Sequence, residues 1–259
     1  MTIRKPSVIV LDIETSPIIG YSWRTWDTNL LGIIQPSQIM SVAWKELGED
    51  KSFCKILPDY PGYKGGKLDD KKLVKEVWGV LDKADVVVAH HGRKFDLPKL
   101  NSRFIFHGLD APSSYKILDT KAAASKYFAF DSNSLNNLGH YFGVGEKIEN
   151  GGFSLWEKCM GGDLSAWELM RSYNVQDVLL LEKVYYKLRP YIANHPNLAL
   201  IAGDVEEHAC PSCQSHNVQK RGLATTRTGT RQRYQCRDCG SWSTGSFKRN
   251  STVLSVADA

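Results

Sequence analysis

The chain of 259 residues contains no run of about 18 apolar residues, so nothing in it reads as a membrane-spanning helix. Little in it resembles a secretory leader: Met1-Thr2-Ile3-Arg4-Lys5-Pro6 leads into an apolar stretch that reads as too short, and too acidic at its end, for one. A cytoplasmic location is the resulting expectation. Before residue 210 cysteine is limited to Cys54 and Cys159, which read as ordinary buried or half-buried thiols. Nothing points to an oxidising compartment, which argues against a disulfide framework. Acid is nearly absent from residues 208–250, where Asp238 stands alone against Lys220, Arg221, Arg227, Arg231, Arg233, Arg237, Lys248 and Arg249. That short region carries about +7 of charge and residues 1–207 about −1. A compact basic module joined to a near-neutral domain suggests a polyanion partner. The remaining composition, 42% apolar and 24% charged, is that of one sizeable globular domain plus a small module.

What is present begins with Val8-Ile9-Val10-Leu11-Asp12-Ile13-Glu14-Thr15. The uninterrupted apolar run suits a central strand covered on both faces. Residues two apart share a face, so Asp12 and Glu14 project together from the strand's C-terminal end. Neighbouring carboxylates beside a core repel each other and resist desolvation, and a divalent cation between them relieves both costs. The alternative is a solvated acid pair at a strand end.

Cys210-Pro211-Ser212-Cys213 and Cys236-Arg237-Asp238-Cys239 form two C-x-x-C pairs separated by 22 residues. This spacing reads as a tetrahedral zinc site with two thiolates from each turn: Cys210, Cys213, Cys236 and Cys239. His208 and His216 flank the first pair as substitute ligands, although four cysteines already complete the shell.

Between these landmarks, Ile18–Trp23 and Gln38–Trp44 read as further strands, and Trp23 and Trp26 as core aromatics in preference to base-stacking ones. Pro58 to Lys67 is a loop, after which Asp69 is expected to cap a helix with Leu73, Val77, Val80 and Leu81 inward and Lys71, Lys72 and Lys75 in solvent. Asp85–Ala89 is a buried strand, expected to pair in parallel with the first and to open toward Asp12 and Glu14. It runs into His90-His91-Gly92-Arg93-Lys94-Phe95-Asp96-Leu97-Pro98, where an acid again follows a buried strand. Lys116–Thr120 offers another short strand, ending at Asp119. Residues 131–134 cap the next helix, and Gly143–Gly152 is glycine-rich and expected to be mobile. A long helix over Leu164–Leu188 places Tyr173 and Asp177 one turn apart on one face.

Leu11-Asp12-Ile13-Glu14-Thr15, Phe95-Asp96-Leu97-Pro98 and Tyr173-Asn174-Val175-Gln176-Asp177 resemble the three motifs of the DEDD superfamily of 3′–5′ exonucleases. Tyr173 points to the tyrosine subtype, since Ser172 stands where the histidine subtype has His. Leu135–Gly139 and Gly143–Lys147 are similar to the helix and loop before the third motif. One departure is His91, which stands where the second motif usually has Asn. The resemblance covers about residues 5–190. It implies an α/β, ribonuclease-H-like fold: a mixed five-stranded sheet flanked by helices. It also implies that Asp12, Glu14, Asp96 and Asp177 hold two Mg²⁺ or Mn²⁺ roughly 4 Å apart, and that Tyr173 orients the attacking water. The implied products are nucleoside monophosphates.

The C-terminal module is similar to the zinc ribbons of some insertion-sequence transposases, which implies one structural Zn²⁺ and nucleic-acid binding. Arg231 and Arg233 alternate with Gln232 and Tyr234, placing cations on one strand face and a stackable ring on the other. The expected nucleic-acid contacts are His91, Phe95, Arg227, Arg231, Arg233 and Tyr234. The expected organisation is an exonuclease domain at 1–190, a connector at 191–207, the ribbon at 208–247 and a flexible tail at 248–259. The leading functional expectation is a 3′–5′ exonuclease acting on single strands or 3′ ends, DNA in preference to RNA. The alternatives are a recruitment module that uses the fold as a scaffold, a structure-selective endonuclease, or an exoribonuclease. A replication or recombination partner is left open.

Overall fold

The computed structural model describes residues 4–26, 29–203 and 208–249. They fall into two compact units, Ser7–Tyr185 and a second joining Met1–Pro6 to Tyr186–Ala259. Among the described residues, no helix is long and apolar enough to cross a membrane.

The first unit opens with β1 (Val8–Thr15), β2 (Ile19–Tyr21), β3 (Gly32–Gln35), β4 (Ile39–Glu46) and β5 (Ser52–Ile56). There follow α1 (Lys71–Leu81), β6 (Val86–Ala89), α2 (Asp96–Phe106), β7 (Lys116–Asp119), α3 (Thr120–Tyr127), α4 (Leu135–Phe142), α5 (Phe153–Met160) and α6 (Leu164–Leu188). Five strands form a mixed sheet in the order β5-β4-β1-β6-β7. β1 is central, antiparallel to β4 and parallel to β6, and β6 is parallel to β7. The C-terminal ends of β1, β6 and β7 therefore open on one side, which for β6 is the orientation expected from the sequence.

Burial on both faces explains why β1 is apolar until its last residues. Ile9, Leu11 and Ile13 join a core with Leu73 and Val77 of α1, Leu100 and Phe104 of α2, and Trp167 of α6. Strand alternation turns Val8, Val10, Asp12 and Glu14 to the opposite face. Val8 and Val10 are buried there, and the acids stand where the strand reaches the sheet's end.

Two local expectations fail for physical reasons. Trp23 and Trp26 are 88% and 83% exposed and not core. β2 and β3 form a separate two-stranded sheet, so the segment between β1 and β4 has no second layer to bury its aromatics. At the start of α1, the capping position is Asp70, and its side chain makes no cap bond. Its carboxylate is fully buried and accepts from the Ile39 amide at 2.9 Å, from Arg103 at 2.6 and 2.8 Å, and interacts with His107 Nε2 at 2.7 Å. Asp69 accepts from the Lys71 amide, at 3.1 Å. A charge buried with this many donors is a tie between α1, α2 and β4.

In the second unit, α7 (Leu198–Ala202) falls within the stretch expected as a connector and is capped by the Asn197 side chain. Residues 204–207 lie outside the described residues. β8 (Val218–Thr225), β9 (Gly229–Cys236) and β10 (Trp242–Arg249) form an antiparallel sheet in the order β10-β9-β8. β10 continues through Arg249, into the first two residues assigned to the flexible tail, and residues 250–259 lie outside the described residues.

Candidate metal centres and active site

Asp12, Glu14 and Asp177 each offer a carboxylate oxygen within 4.8 Å of the others. Two come from the end of β1 and the third from α6, 163 residues after Glu14. Asp96, at the start of α2, is not part of this group. It is 3% exposed, and the amides of Ile13 and of Asp96 itself donate to its carboxylate. Its charge nevertheless reaches the group, being the second contributor, after burial, to the upward shift at Asp12.

The electrostatics of the cluster are unfavourable without a cation. Burial, then the charges of Asp96, Glu14 and Asp177, raise Asp12 well above the usual carboxylate range. Burial and the Asp177 charge push Glu14 up to about 8. Burial pushes Asp96 up to about 7 and also raises Asp177. Asp177 Oδ1 is buried with no hydrogen-bond partner among the described residues. An all-oxygen, anionic donor set with an orphaned carboxylate oxygen fits a hard divalent cation such as Mg²⁺ or Mn²⁺.

Two residues to which the sequence reading assigned no role organise the cluster. Asn174, fully buried, donates from Nδ2 to Asp12 Oδ2 at 2.7 Å and accepts from the Ser41 hydroxyl at 2.7 Å. It thereby orients Asp12 from α6 and β4 together. Lys147 donates from Nζ to Asp177 Oδ2 at 2.5 Å and to the Tyr173 hydroxyl at 3.0 Å. Its ammonium is held above its ordinary range by the Asp177 charge, against the opposing effect of burial. The segment expected to be mobile is fastened here: the Lys147 amide donates to Asn136 Oδ1 at 2.8 Å and Gln176 donates to the Glu146 carbonyl at 3.1 Å. Gly139 allows the approach, because a Cβ there would lie 2.5 Å from the Gly145 carbonyl oxygen.

Tyr173 is 9% exposed, and burial together with the Asp177 charge pushes its phenol up to about 12. It meets Trp156 edge-on at 6.3 Å between centroids, and Trp156 donates to the Thr15 carbonyl at 3.1 Å. Thr15, Pro17, Phe153 and Trp156 line an adjoining, mostly apolar cavity of about 450 Å³.

The turn carrying His91 and Phe95 is wound by Asp119, whose two oxygens accept the amides of His91 and Arg93 at 3.1 Å each. His91 has φ 72°, a left-handed conformation that Asn and His tolerate better than most residues. Gly92 is required beside it, since a Cβ would lie 2.4 Å from Ala89 Cβ. Phe95 is 43% exposed just before Asp96.

In the second unit, the sulfurs of Cys210, Cys213, Cys236 and Cys239 lie within 4.8 Å of one another. Cys210–Cys239 and Cys213–Cys236 are 3.7 and 3.6 Å apart, too long for disulfides. The two turns are alike: Gln214 and Gly240, each following the second cysteine, both have left-handed φ (65° and 77°) and donate amides to the Cys210 and Cys236 carbonyls. Four convergent sulfurs make a donor set for Zn²⁺. His208 and His216 are not in the cluster. Cys54 and Cys159 also stand apart, and burial pushes their thiols up to about 11 and about 12, as for unreactive cysteines.

Arg231 and Arg233 are exposed on one face of β9, and Arg227 is exposed in the β8–β9 turn. Tyr234, expected as an open stacking ring, is half-buried, with the His208 ring 4.7 Å away and Gly245 close by. The exposed rings are instead on β10: Arg231 lies 5.5 Å from the Phe247 ring and Arg233 5.5 Å from the Trp242 ring.

A family model described as the RNase_H superfamily matches residues 58–189, 132 of the 259. The match includes Asp96, Tyr173 and Asp177 and begins after Asp12 and Glu14. No curated protein is similar to the chain at a significant level. Among solved structures, the family B DNA polymerase from the hyperthermophilic archaeon Pyrobaculum calidifontis is similar over 76% of this chain, with a TM-score of 0.50 and 15% identity. The chain spans only 27% of that polymerase's length, and the likeness is one of fold. With a mixed sheet centred on β1, helices packed around it, and just over half its length matching the family model, the chain belongs to the RNase_H superfamily and has its nuclease fold.

Proposed function

We propose that the chain is a metal-dependent 3′–5′ exonuclease of the DEDD tyrosine subtype, acting on single-stranded or 3′-terminal nucleic acid, with DNA favoured. The observation that carries this reading is the convergence of Asp12, Glu14 and Asp177 oxygens within 4.8 Å, with Tyr173 one helical turn from Asp177. Asp12, Glu14, Asp96 and Asp177 would together hold two divalent cations, the field of Asp96 already reaching Asp12. Bound there, two such ions would activate water and neutralise charge on the reacting phosphate and the departing 3′ oxygen.

The chain's own groups then have distinct tasks. Asn174 keeps Asp12 in place through the hydrogen bond to Oδ2. Tyr173, with its phenol at about 12, stays protonated at neutral pH and positions the attacking water as a hydrogen-bonding hydroxyl, not as a base. Lys147 holds a positive charge against Asp177 and Tyr173, where negative charge grows as phosphorus is attacked. The apolar cavity beside Thr15 offers Phe153 and Trp156 as walls for the terminal base. Water adds to phosphorus, the bond to the 3′ oxygen breaks, and a nucleoside 5′-monophosphate leaves.

Single strands labelled at the 3′ or the 5′ end, incubated with Mg²⁺, test this directly. Stepwise release from the 3′ end is expected; internal fragments would indicate an endonuclease, and binding without cleavage a recruitment module. Running matched DNA and RNA strands side by side decides the sugar preference. Tyr173→Phe is expected to lower kcat by about 10²-fold with KM little changed, because one positioned hydroxyl is lost.

The ribbon is proposed to hold one Zn²⁺ through its four cysteines and to grip nucleic acid with the Arg231/Phe247 and Arg233/Trp242 pairs. Such alternation supplies phosphate contacts and stacking surfaces together. Cys236→Ser should release the zinc, measured by metal content, and weaken strand binding with a shallower salt dependence. Unchanged binding at every salt concentration would remove the ribbon from the interface.

A further inference from the structure

The chain leaving β5 emerges at the same end of the sheet as the acids. Glu14 pairs with Ser41 and Ser41 with Ile56, so two strand spacings, about 10 Å, separate Glu14 from the start of this loop. Between Leu57 and Lys72 it encloses a cavity of about 290 Å³ whose lining includes Tyr60, Tyr63, Lys64, Lys67, Lys72 and Asp69. The loop is firmly built. Trp167 Nε1 donates to the Tyr63 hydroxyl at 2.8 Å with the rings edge-to-face, and the Tyr60 hydroxyl donates to Glu76 at 2.6 Å. Gly65 packs against Gly162, where a Cβ would come within 2.8 Å of Gly65 Cα. Trp167 lies six residues before Tyr173 on α6, about 9 Å along the helix.

The lining sets three lysines against the single acid Asp69, and the other acids of the surrounding segment have internal partners. Asp59 is paired with Arg171, Asp70 with Arg103 and His107, and Glu76 with Lys55 and the Tyr60 hydroxyl. Lys64, Lys67, Lys71 and Lys75 are exposed and, among the described residues, in no ion pair, while Lys72 donates to the Pro61 carbonyl at 2.6 Å. Asp69 is the one acid left facing them without an ion pair among the described residues. A solvated lysine face is ordinary; a rigid, concave one at the acid-bearing end of the sheet is suited to phosphates.

We propose that this lysine-rimmed cavity is a second phosphate-binding surface of the nuclease unit, which holds the backbone of the strand a few nucleotides from the bond being cut. The proposal rests on the nuclease reading for the direction in which the strand runs. Lys64 and Lys67 supply the phosphate contacts, and the loop's attachment to α6 fixes their distance from Tyr173 and Asp177. The signature is a dependence on strand length, because a mononucleotide seated at the acids does not span the two strand spacings to the cavity and a 12-mer does.

The test uses the full chain carrying Asp12→Ala, so that binding is read without turnover, with and without Lys64→Glu and Lys67→Glu together. Affinity for a single-stranded 12-mer is expected to fall tenfold or more. The slope of log affinity against log salt should become shallower by about 1.4, the value for two lost phosphate contacts on a single strand. Affinity for a nucleoside 5′-monophosphate should fall less than threefold. Equal losses on both lengths, or no loss on the 12-mer, would overturn the proposal. A melting curve checks folding, and Lys64→Gln with Lys67→Gln gives a milder change of the same sign should the charge reversal unfold the loop. Absence of any cleavage by the unsubstituted protein would remove the nuclease reading while leaving this binding comparison intact.

Discussion

Replacing Asp12 by Ala is expected to reduce cleavage by at least about 10³-fold, some 4 kcal/mol of transition-state stabilisation, while single-strand affinity stays within a few-fold. Asp12 is the acid most entangled in the cluster: burial and three other carboxylates act on it, and Asn174 is committed to holding it. Removing it takes away a donor oxygen and leaves the Asn174 amide without its acceptor. The exposed cations proposed to grip the strand are untouched. Single-turnover rates and equilibrium binding on the same labelled strand separate the two effects. Near-normal cleavage by Asp12→Ala would place the chemistry elsewhere in the molecule.

Stability of the Mg²⁺-free protein is expected to fall as the pH rises from 6.5 to 8, and added Mg²⁺ or Mn²⁺ should abolish most of that fall. Glu14 and Asp96 have folded-state pKa values of about 8 and about 7, above their ordinary values of 4.5 and 3.8. A carboxyl raised on folding contributes stability that is complete below its unfolded pKa and is lost as the pH climbs through the folded one. The loss runs from the unfolded value up to the folded one, so Glu14 contributes to the fall throughout pH 6.5–8 and Asp96 only up to about pH 7. His90 and His195 have lowered values and act in the opposite sense, but only below about pH 6.5, which sets the lower limit of the window. One raised carboxyl losing its proton across this window is worth about 1–2 kcal/mol. A cation at a hundred times its Kd restores about 2.7 kcal/mol, roughly 5–10 °C in Tm for a unit of this size. Melting should be followed with zinc retained and Mg²⁺ omitted or added, since a strong chelator would also strip the ribbon. Glu14→Gln is expected to flatten the pH slope and to melt higher than the unsubstituted protein without Mg²⁺. A slope that persists unchanged in Glu14→Gln would mean the acids are not the source.

Much of the architecture was readable without coordinates because it follows from local periodicity. A short, β-branched apolar run suits a strand buried on both faces, which is the place β1 takes at the centre of the sheet. A period of two then placed Asp12 and Glu14 side by side at its end, and a period of 3.6 placed Tyr173 and Asp177 one turn apart. Two C-x-x-C pairs state their own chemistry, because four thiols at that spacing have few other stable arrangements.

Contacts between distant segments had no such signature. Lys147 meets Asp177 across 30 residues, Asn174 meets Asp12 across 162, and Asp70 meets Arg103 across 33. Each is a polar group whose partner is supplied only when the sheet and α6 close over it, and composition or spacing cannot name that partner. Exposure was equally non-local: Trp23 and Trp26 have the hydrophobicity of core residues, yet β2 and β3 form their own small sheet and leave them in solvent. The sequence alone determined which strand ends in acids and which turns carry sulfur. Only tertiary structure decided that Asp96 stands outside the three-acid group, that an ammonium sits on Asp177, and which rings on the ribbon remain open, because these depend on how elements pack and not on how each one forms.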